Sequence, residues 1–155
     1  MTLRPLRDDD REAMFLLESD EVGADMIAFL PRSPGDREAF DKHWERLHAE
    51  PEALMRSIEV DGRYAGYALS FVVDGEREVG YWVDRSLWGR GIATEALLAL
   101  LAELDDRPLF AHAAADNEAS RRVLEKCGFV LVAEAESFAP GRESVIPENV
   151  FRLDA

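Results

Sequence analysis

The sequence predicts an α/β (α+β) fold in which a mixed β-sheet of about six to seven strands is flanked by helices. Two observations lead to this fold class. In the middle of the chain, three strand-like runs are joined by the dipeptides Asp61-Gly62 and Asp74-Gly75, which favour tight antiparallel hairpins. Farther on, strand-like and helix-like runs alternate, and a helix that connects two strands favours parallel pairing between them. One sheet with both kinds of pairing is therefore expected.

The individual elements follow from short-range patterns. Apolar runs predict the strands, and apolar residues repeated every three or four positions, such as Phe40, Trp44 and Leu47, predict the helices. The segment 22–34 has no clear pattern, and Pro31 and Pro34 indicate a loop. In chain order we predict strand 2–6, helix 8–17, helix 36–49, strands 54–60, 64–73 and 78–83, helix 94–104, strand 108–115, a helix from Asn117 to Lys126, and a closing pair of strands over 130–135 and 150–153.

The size and composition of the chain are those of one domain. We expect residues 1–155 to form a single domain, because 47% hydrophobic content over this length suits one core and no linker-like or repeated segment interrupts it. No apolar stretch approaches the roughly 20 residues that span a bilayer, and the N-terminus lacks a secretory signal. The one cysteine, Cys127, has no internal disulfide partner. These features predict a cytoplasmic protein that is not a membrane protein.

The charge balance restricts the partners. The chain carries 32 acidic and 18 basic side chains, a formal net charge of −14, which argues against nucleic acid as a ligand. An acidic surface favours a cationic partner, such as an amine or a basic peptide, although it also serves solubility alone. No cluster of His and Cys has the spacing of metal ligands, so we predict no metal.

The most informative segment is the glycine-rich turn Trp88-Gly89-Arg90-Gly91-Ile92-Ala93-Thr94, which stands between a predicted strand and a predicted helix. The first N–H groups of a helix lack internal partners and carry about half a positive charge, so they attract anions such as phosphate. No Lys followed by Ser or Thr comes after the last glycine, as an ATPase loop requires, and Thr94 stands where a dinucleotide site needs a small residue. A phosphate-bearing ligand of another kind is expected.

The string from Glu78 to Ala96 resembles the pyrophosphate-binding signature of the GNAT superfamily of acyl-CoA-dependent N-acetyltransferases. Gly91 and Ala93 match its last two positions, and Trp88 replaces its initial Arg or Gln, which is similar to the RimJ/RimL-like branch of ribosomal-protein N-terminal acetyltransferases. A second segment, 117–129, resembles the helix that follows the fifth strand in this superfamily. The two segments together cover the middle and end of the chain in the family's order.

The resemblance implies a sheet that is splayed between its fourth and fifth strands, with acetyl-CoA as the co-substrate held at the splay. The turn would bind the pyrophosphate, the strand edge would pair with the pantetheine arm, and a backbone N–H there would polarise the acetyl carbonyl. The arginines 85, 90, 121 and 122 would make this end positive. The expected cofactor-binding residues are Trp82, Val83, Trp88, Gly89, Arg90, Gly91, Ile92, Ala93, Thr94, Asn117 and Ser120.

The resemblance also implies a proton acceptor, for which Glu78 is the first candidate. Several family members carry a glutamate at the start of the fourth strand that acts as a general base, often through water. A solvated carboxylate at a strand end is the alternative interpretation of Glu78. Glu134, Glu136 and His112 are further candidates, and His112 alternatively reads as a structural histidine of the sheet.

The proton donor of many GNAT enzymes has no counterpart here. The tyrosine that would supply it corresponds to Leu124, which has no exchangeable proton. In the RimJ/RimL-like branch a serine is thought to assist the leaving thiolate, and Ser120 matches that serine. A hydroxyl–sulfur hydrogen bond is worth about 1–2 kcal/mol. Alternatively, Ser120 helps to cap its own helix.

These residues favour an acetyl-CoA-dependent N-acetyltransferase that acts on a primary amine, either a peptide N-terminus or a small-molecule amine, by direct attack in a ternary complex. One alternative is a catalytically weak acyl-CoA-binding regulatory module on the same fold. Another is an unrelated mixed-sheet protein that binds a nucleotide. The acceptor is expected to contact residues 22–51, the loop after Val73 and residues 138–147, and a homodimer is left open.

Overall fold

A computed structural model of the chain describes residues 1–27 and 35–155. In chain order the elements are β1 (Thr2–Pro5), α1 (Asp10–Glu18), α2 (Glu21–Ile27), α3 (Arg37–Ala49), β2 (Leu54–Val60), β3 (Arg63–Val73), β4 (Glu76–Val83), α4 (Ile92–Ala102), β5 (Leu109–Ala114), α5 (Glu118–Lys126), β6 (Val130–Ala139) and β7 (Ser144–Leu153). Within the described ranges, seven strands form one sheet in the order β1-β2-β3-β4-β5-β7-β6. Helices cover both faces, which confirms the predicted fold class.

The sheet is mixed because β4 and β5 are parallel whereas the other neighbouring strands are antiparallel. The parallel pairing covers only Arg77 with Leu109 and Glu78 with Phe110. Beyond Glu78 the two strands separate, so the second half of β4 has an open edge towards β5. This is the predicted splay, and the crossover through α4 accounts for the parallel direction of the two strands.

The two predicted hairpin turns are present. Asp61 and Gly62 have φ of 52° and 75°, and Asp74 and Gly75 have φ of 51° and 80°. Two successive residues with positive φ form the type I′ turn, whose twist matches that of the strands that it joins. The meander from β2 to β4 therefore follows from local sequence.

Two apolar layers lie on opposite faces of the sheet. On one face, α4 and α5 pack through Leu97, Leu100 and Leu124, all fully buried, against the sheet. On the other face, the cluster contains residues of α1, α2 and α3 packed on the side chains of β2, β3 and β4: Met14, Leu17, Ala24, Phe40, Trp44, Met55, Tyr67 and Trp82. Successive residues of β4 alternate between the two layers, which decides which side chains reach each side of the splay.

Several boundaries differ from the prediction. α4 begins at Ile92, earlier than predicted, because Gly91 adopts a left-handed φ of 77° and forms its N-cap. β6 and β7 are longer than predicted, because β6 continues to Ala139, β7 begins at Ser144 and the two pair with each other over the added length. α2 lies in the segment without a clear pattern. The loop predicted at Pro31 and Pro34 falls outside the described residues. Among the described residues, no helix combines the length and apolar character needed to cross a membrane.

Gly66 holds β3 against the end of β4, and we expect Gly66→Ala to destabilise the protein by about 3 kcal/mol or more. Its φ of 147° disfavours a side chain, and a Cβ there would overlap the carbonyl oxygen of Trp82. Urea denaturation would measure the loss against the matched variant Gly62→Ala. Gly62 also has positive φ, at 75°, but its Cβ would meet nothing within 4 Å. Equal losses in the two variants would contradict the proposed overlap.

Candidate active site

A cavity of about 930 Å³ opens where β4 and β5 separate. One end is formed by the N-terminus of α4 and the side of α5. The other end is formed by polar side chains of β4, β5, β6 and β7, with α2 and α3 above them. The cavity therefore joins both layers of the molecule through the gap in the sheet.

The first end is a free helix N-terminus. Gly89 and Gly91 line the cavity in left-handed conformations, with φ of 80° and 77°, and added Cβ atoms would meet no atom within 4 Å. The N–H groups of Ile92, Ala93 and Thr94 lie in the first turn of α4, where a helix has no internal acceptors. No side chain caps this helix, so these N–H groups are left for a ligand. Arg90, between the glycines, is exposed and is not among the residues that line the cavity. A bare helix N-terminus beside two unobstructed glycines fits a phosphate group.

Two basic side chains of α5, Arg122 and Lys126, line the same end of the cavity. Arg121 instead pairs with Glu125, with 2.7 Å between Nε and Oε1, and Arg85 pairs with Asp20 at 3.3 Å. Of the four arginines that we predicted, Arg122 lines the cavity, whereas Arg85, Arg90 and Arg121 do not.

The open edge of β4 presents backbone groups to the cavity. The Asp84 N–H donates to the Ala65 carbonyl at 2.8 Å, and Tyr67 pairs with Trp82, so the backbone of Trp82 turns towards β3. The alternation turns the backbone of Tyr81 and Val83 towards β5, beyond the last residues that β5 pairs with. These two residues therefore have N–H groups on an unpaired strand edge.

Two tryptophans fix this edge from either side. The Trp82 side chain is 2% exposed and packs beside Tyr67, with ring centroids 6.4 Å apart. The Trp88 indole Nε1–H donates to the carbonyl of Val83 at 2.9 Å. Trp88 thereby ties the glycine-rich turn to the end of β4, and both tryptophans line the cavity.

Asn117 is the N-cap of α5 and uses both ends of its amide. Its Oδ1 accepts from the Ser120 N–H at 3.0 Å, and its Nδ2 donates to the carbonyl of Met26 in α2 at 3.1 Å. Because Asn117 caps the helix, the hydroxyl of Ser120 is not needed for that role. The Ser120 Oγ lies 2.7 Å from the phenolic oxygen of Tyr81, and both residues line the cavity.

Sequence reasoning missed Tyr81 as a site residue. Alternation along β4 places its side chain on the same face as Val79, but no local signal shows that α5 lies above it. Burial is the main cause that raises the pKa of Tyr81 to about 12, so its phenol stays protonated at neutral pH. Leu124, at the position where the family's tyrosine would stand, is 2% exposed and packs in the core.

The far end of the cavity is a row of polar side chains across four neighbouring strands. Glu78 Oε1 lies 3.3 Å from Nε2 of His112, whose Nδ1 lies 3.4 Å from Oε1 of Glu148. Ser137 Oγ–H donates to the same Glu148 oxygen at 2.9 Å. The sequence singled out Glu78 and His112 as separate candidates, and the structure brings them together. Glu148 and Ser137 were missed.

The surroundings of Glu78 raise the pKa of its carboxyl above the ordinary value. Burial raises the pKa of Glu78, because it disfavours the charged form, and the nearby charge of Glu148 raises it further. His112 acts in the opposite direction. The other predicted carboxylates, Glu134 and Glu136, are exposed on β6 and do not line the cavity. A half-buried carboxylate in contact with an imidazole is suited to accept a proton.

The walls between the two ends come only partly from the expected acceptor regions. The segment 22–51 supplies Met26 and Ile27 of α2 and, among others, Arg46 and Leu47 of α3. The segment 138–147 supplies none of the lining, which passes from Ser137 to Glu148. Residues 28–34 lie outside the described part of the chain. Among the described residues, no group of three or more His, Cys, Asp or Glu side chains is arranged to hold a metal ion.

Residues 1–130 match the family model of the acetyltransferase (GNAT) domain. The chain belongs to the GNAT family of acetyltransferases. This confirms the resemblance drawn from the two sequence segments, and with it the prediction of an acyltransferase.

Several similar proteins carry the names of ribosomal-protein acetyltransferases or of RimJ. YdaF of Bacillus subtilis (strain 168), named as a candidate ribosomal N-acetyltransferase, is 28% identical over 142 residues, which cover 84% of this chain and 78% of YdaF. RimL, a ribosomal-protein α-N-acetyltransferase solved in complex with coenzyme A, is 23% identical with a TM-score of 0.81, over 98% of this chain and 92% of RimL. Mycobacterium smegmatis RimJ, solved with a CoA disulfide, is 24% identical with a TM-score of 0.81, over 99% of this chain and 81% of RimJ. The two structural likenesses show that the fold is shared.

Proposed function

We propose that this GNAT protein transfers an acetyl group from acetyl-CoA to a primary amine, either a peptide N-terminus or a small-molecule amine. The acceptor would attack the thioester directly while both substrates are bound. The observation that carries this proposal is the continuous cavity, with a bare helix N-terminus at one end and the row of Glu78, His112 and Glu148 at the other. Acceptor and thioester would meet in the gap between β4 and β5.

Acetyl-CoA fits the donor end of the cavity. Its pyrophosphate would accept hydrogen bonds from the N–H groups of the first turn of α4, which Gly89 and Gly91 leave open to close approach. Arg122 and Lys126 would neutralise further phosphate charge. RimL and RimJ were solved with coenzyme A or its disulfide, which supports acetyl-CoA as the co-substrate of the present protein.

The edge of β4 would hold and activate the thioester. An extended pantetheine arm carries amide groups that can pair with an open strand edge as an added strand does. The N–H of Tyr81 or Val83 would then donate to the acetyl carbonyl oxygen and stabilise the negative charge that develops there during attack. Asn117, whose amide is engaged by Ser120 and Met26, would shape this part of the site by fixing α5 to α2.

Glu78 would act as the general base. An amine reaches the protein as an ammonium ion, which two carboxylates around one imidazole attract. Glu78 would take a proton from the ammonium directly or through a water, and the contact with His112 would hold the carboxylate in place. The free amine would then attack the acetyl carbon.

Two observations bear on the nature of the acceptor. The names of YdaF and RimL support a peptide N-terminus, and the net charge of −14 suits a basic polypeptide. We further propose that residues 1–155 act as one domain in the cytoplasm. The homodimer stays a prediction.

One observation favours a second candidate function, an acyl-CoA-binding regulatory module. The position of the family's tyrosine is Leu124, which is buried and offers no proton. A protein that binds acetyl-CoA tightly but acetylates no member of a broad amine panel would support this alternative.

Titration calorimetry with acetyl-CoA, ATP and NAD in parallel tests the cofactor part of the proposal. We expect micromolar binding of acetyl-CoA and none of comparable strength for the two nucleotides. An assay of free thiol release then tests the reaction, with free and N-terminally blocked peptides and small amines as acceptors. A folded protein that does not bind acetyl-CoA would refute both the enzyme and the regulatory module.

The pH dependence of the reaction provides a test of the base. Glu78 must be charged to accept a proton, so kcat/KM should rise as the pH rises through the pKa of Glu78. The charge of Glu148 raises that pKa and His112 lowers it. Glu148→Gln should therefore move the acid limb of the profile to lower pH, and His112→Gln should move it to higher pH. Shifts in the same direction for both variants would exclude Glu78 as the titrating base.

A further inference from the structure

The hydroxyl pair formed by Tyr81 and Ser120 stands on the donor side of the cavity. Tyr81 Oη and Ser120 Oγ are 2.7 Å apart, and both residues line the cavity. The pair joins β4 to α5 across the layer that contains Leu124. Because Ser120 and Leu124 are four residues apart on one helix, they share a face. The pair therefore occupies the region where the family's tyrosine would project.

The direction of the hydrogen bond follows from what each hydroxyl has available. Ser120 does not cap its helix, because the Asn117 side chain already accepts from the Ser120 N–H at 3.0 Å. Among the described residues, the other acceptor within reach of the Tyr81 hydroxyl is the Ser120 carbonyl oxygen, at a long 3.5 Å. Tyr81 therefore donates best to Ser120 Oγ, and the single hydrogen of Ser120 is left to point into the cavity.

The geometry points to Tyr81 as a positioning residue that aims the Ser120 hydroxyl at the sulfur of the departing coenzyme A. This inference rests on the proposed function. When the amine nitrogen bonds to the acetyl carbon, the carbon–sulfur bond breaks and its electron pair stays on sulfur. Ser120 donates a hydrogen bond to that thiolate while Tyr81 donates to Ser120. Glu78 passes the proton of the ammonium to water before the attack and then takes the proton that the nitrogen loses as the amide forms. The thiolate takes its proton from water after release.

Two linked hydroxyls stabilise an anion better than one, because each bond polarises the next. The phenol remains neutral throughout, since burial keeps its proton in place. Tyr81 therefore has no proton to lose in the reaction, unlike a general acid. Its contribution lies in orientation and polarisation of the serine.

The first test compares Tyr81→Phe and Ser120→Ala in the full chain. We expect each to lower kcat with acetyl-CoA about 10-fold, with the Kd for acetyl-CoA unchanged, because the bond forms on the charged thiolate. The double variant should lose little more than Ser120→Ala alone, since both changes remove one hydrogen-bonded chain. If the fold losses in kcat of the two single variants multiply in the double variant, the inference is overturned.

Tyr64→Phe is the matched control. The Tyr64 hydroxyl is buried and has no hydrogen-bond partner among the described residues, and it lies outside this cavity. Its removal should leave kcat unchanged and the melting temperature equal or higher. If Tyr81→Phe behaves like Tyr64→Phe in an active enzyme, the inference fails although the proposed function stands.

A change of leaving group separates a role at sulfur from a structural role. An acetyl thioester of an aryl thiol expels a more acidic thiol, which needs less stabilisation. With that donor, the effect of Tyr81→Phe on kcat/KM should shrink from about 10-fold to within about twofold. An equal loss with both donors would show that Tyr81 serves only the fold. A wild-type protein that binds acetyl-CoA but releases no thiol with any amine would refute the proposed function, and the inference with it.

Discussion

Replacing Glu78 with glutamine is expected to lower kcat/KM for acetyl transfer by about 10²- to 10³-fold while the Kd for acetyl-CoA stays the same. The amide has nearly the shape of the carboxylate but cannot accept the proton of the ammonium group. Glu78 lies on the face of β4 opposite Tyr81, away from the helix N-terminus that would hold the phosphates. The loss should therefore appear in the reaction with the amine and not in donor binding.

Two variants act as controls for Glu78→Gln. Glu134→Gln and Glu136→Gln remove the rival carboxylates of β6, which are exposed and outside the cavity, and should change kcat/KM by less than about twofold. If His112 only holds the base in place, His112→Gln should lower kcat/KM less than Glu78→Gln does. If the imidazole itself takes the proton, His112→Gln should lower kcat/KM more. A Glu78→Gln enzyme with full activity at pH 7 would remove Glu78 from the mechanism.

The donor end of the cavity was largely predictable because its signals are local. A left-handed glycine before a helix, at Gly91, is a property of adjacent residues, and so are the type I′ turns at Asp61-Gly62 and Asp74-Gly75. The Asn117 cap is also local, since its side chain bonds to Ser120 in the first turn. These features depend on the backbone within a few residues.

The acceptor end was predictable only in part because it is assembled from distant segments. Glu78 and His112 could be named from residue type, but their contact depends on the parallel register that pairs Glu78 with Phe110. Glu148 was missed because β7 inserts between β5 and β6, so the last strand of the sequence is not the last strand of the sheet. No periodicity in the sequence encodes that order.

The second large effect is expected at Gly91, where Gly91→Trp should weaken acetyl-CoA binding at least about 100-fold, or about 2.7 kcal/mol. Gly91 is the N-cap of α4, and the space beside it is open: an added Cβ would meet no atom within 4 Å. An indole placed there would occupy the space that the pyrophosphate needs, so the N–H groups of Ile92, Ala93 and Thr94 would lose their ligand. Titration calorimetry measures the effect directly.

A positive φ also strains any side chain, so the loss at Gly91 must be separated from strain. Gly62→Trp is the matched variant: its φ of 75° is close to the 77° of Gly91, its Cβ space is equally open, and it lies in the β2–β3 turn. Both variants should lose about 1–2 kcal/mol of unfolding free energy from the left-handed backbone. Only Gly91→Trp should lose affinity for acetyl-CoA. If both variants keep wild-type affinity, the phosphates do not sit on α4, whereas if both lose it, global strain and not the helix N-terminus explains the effect.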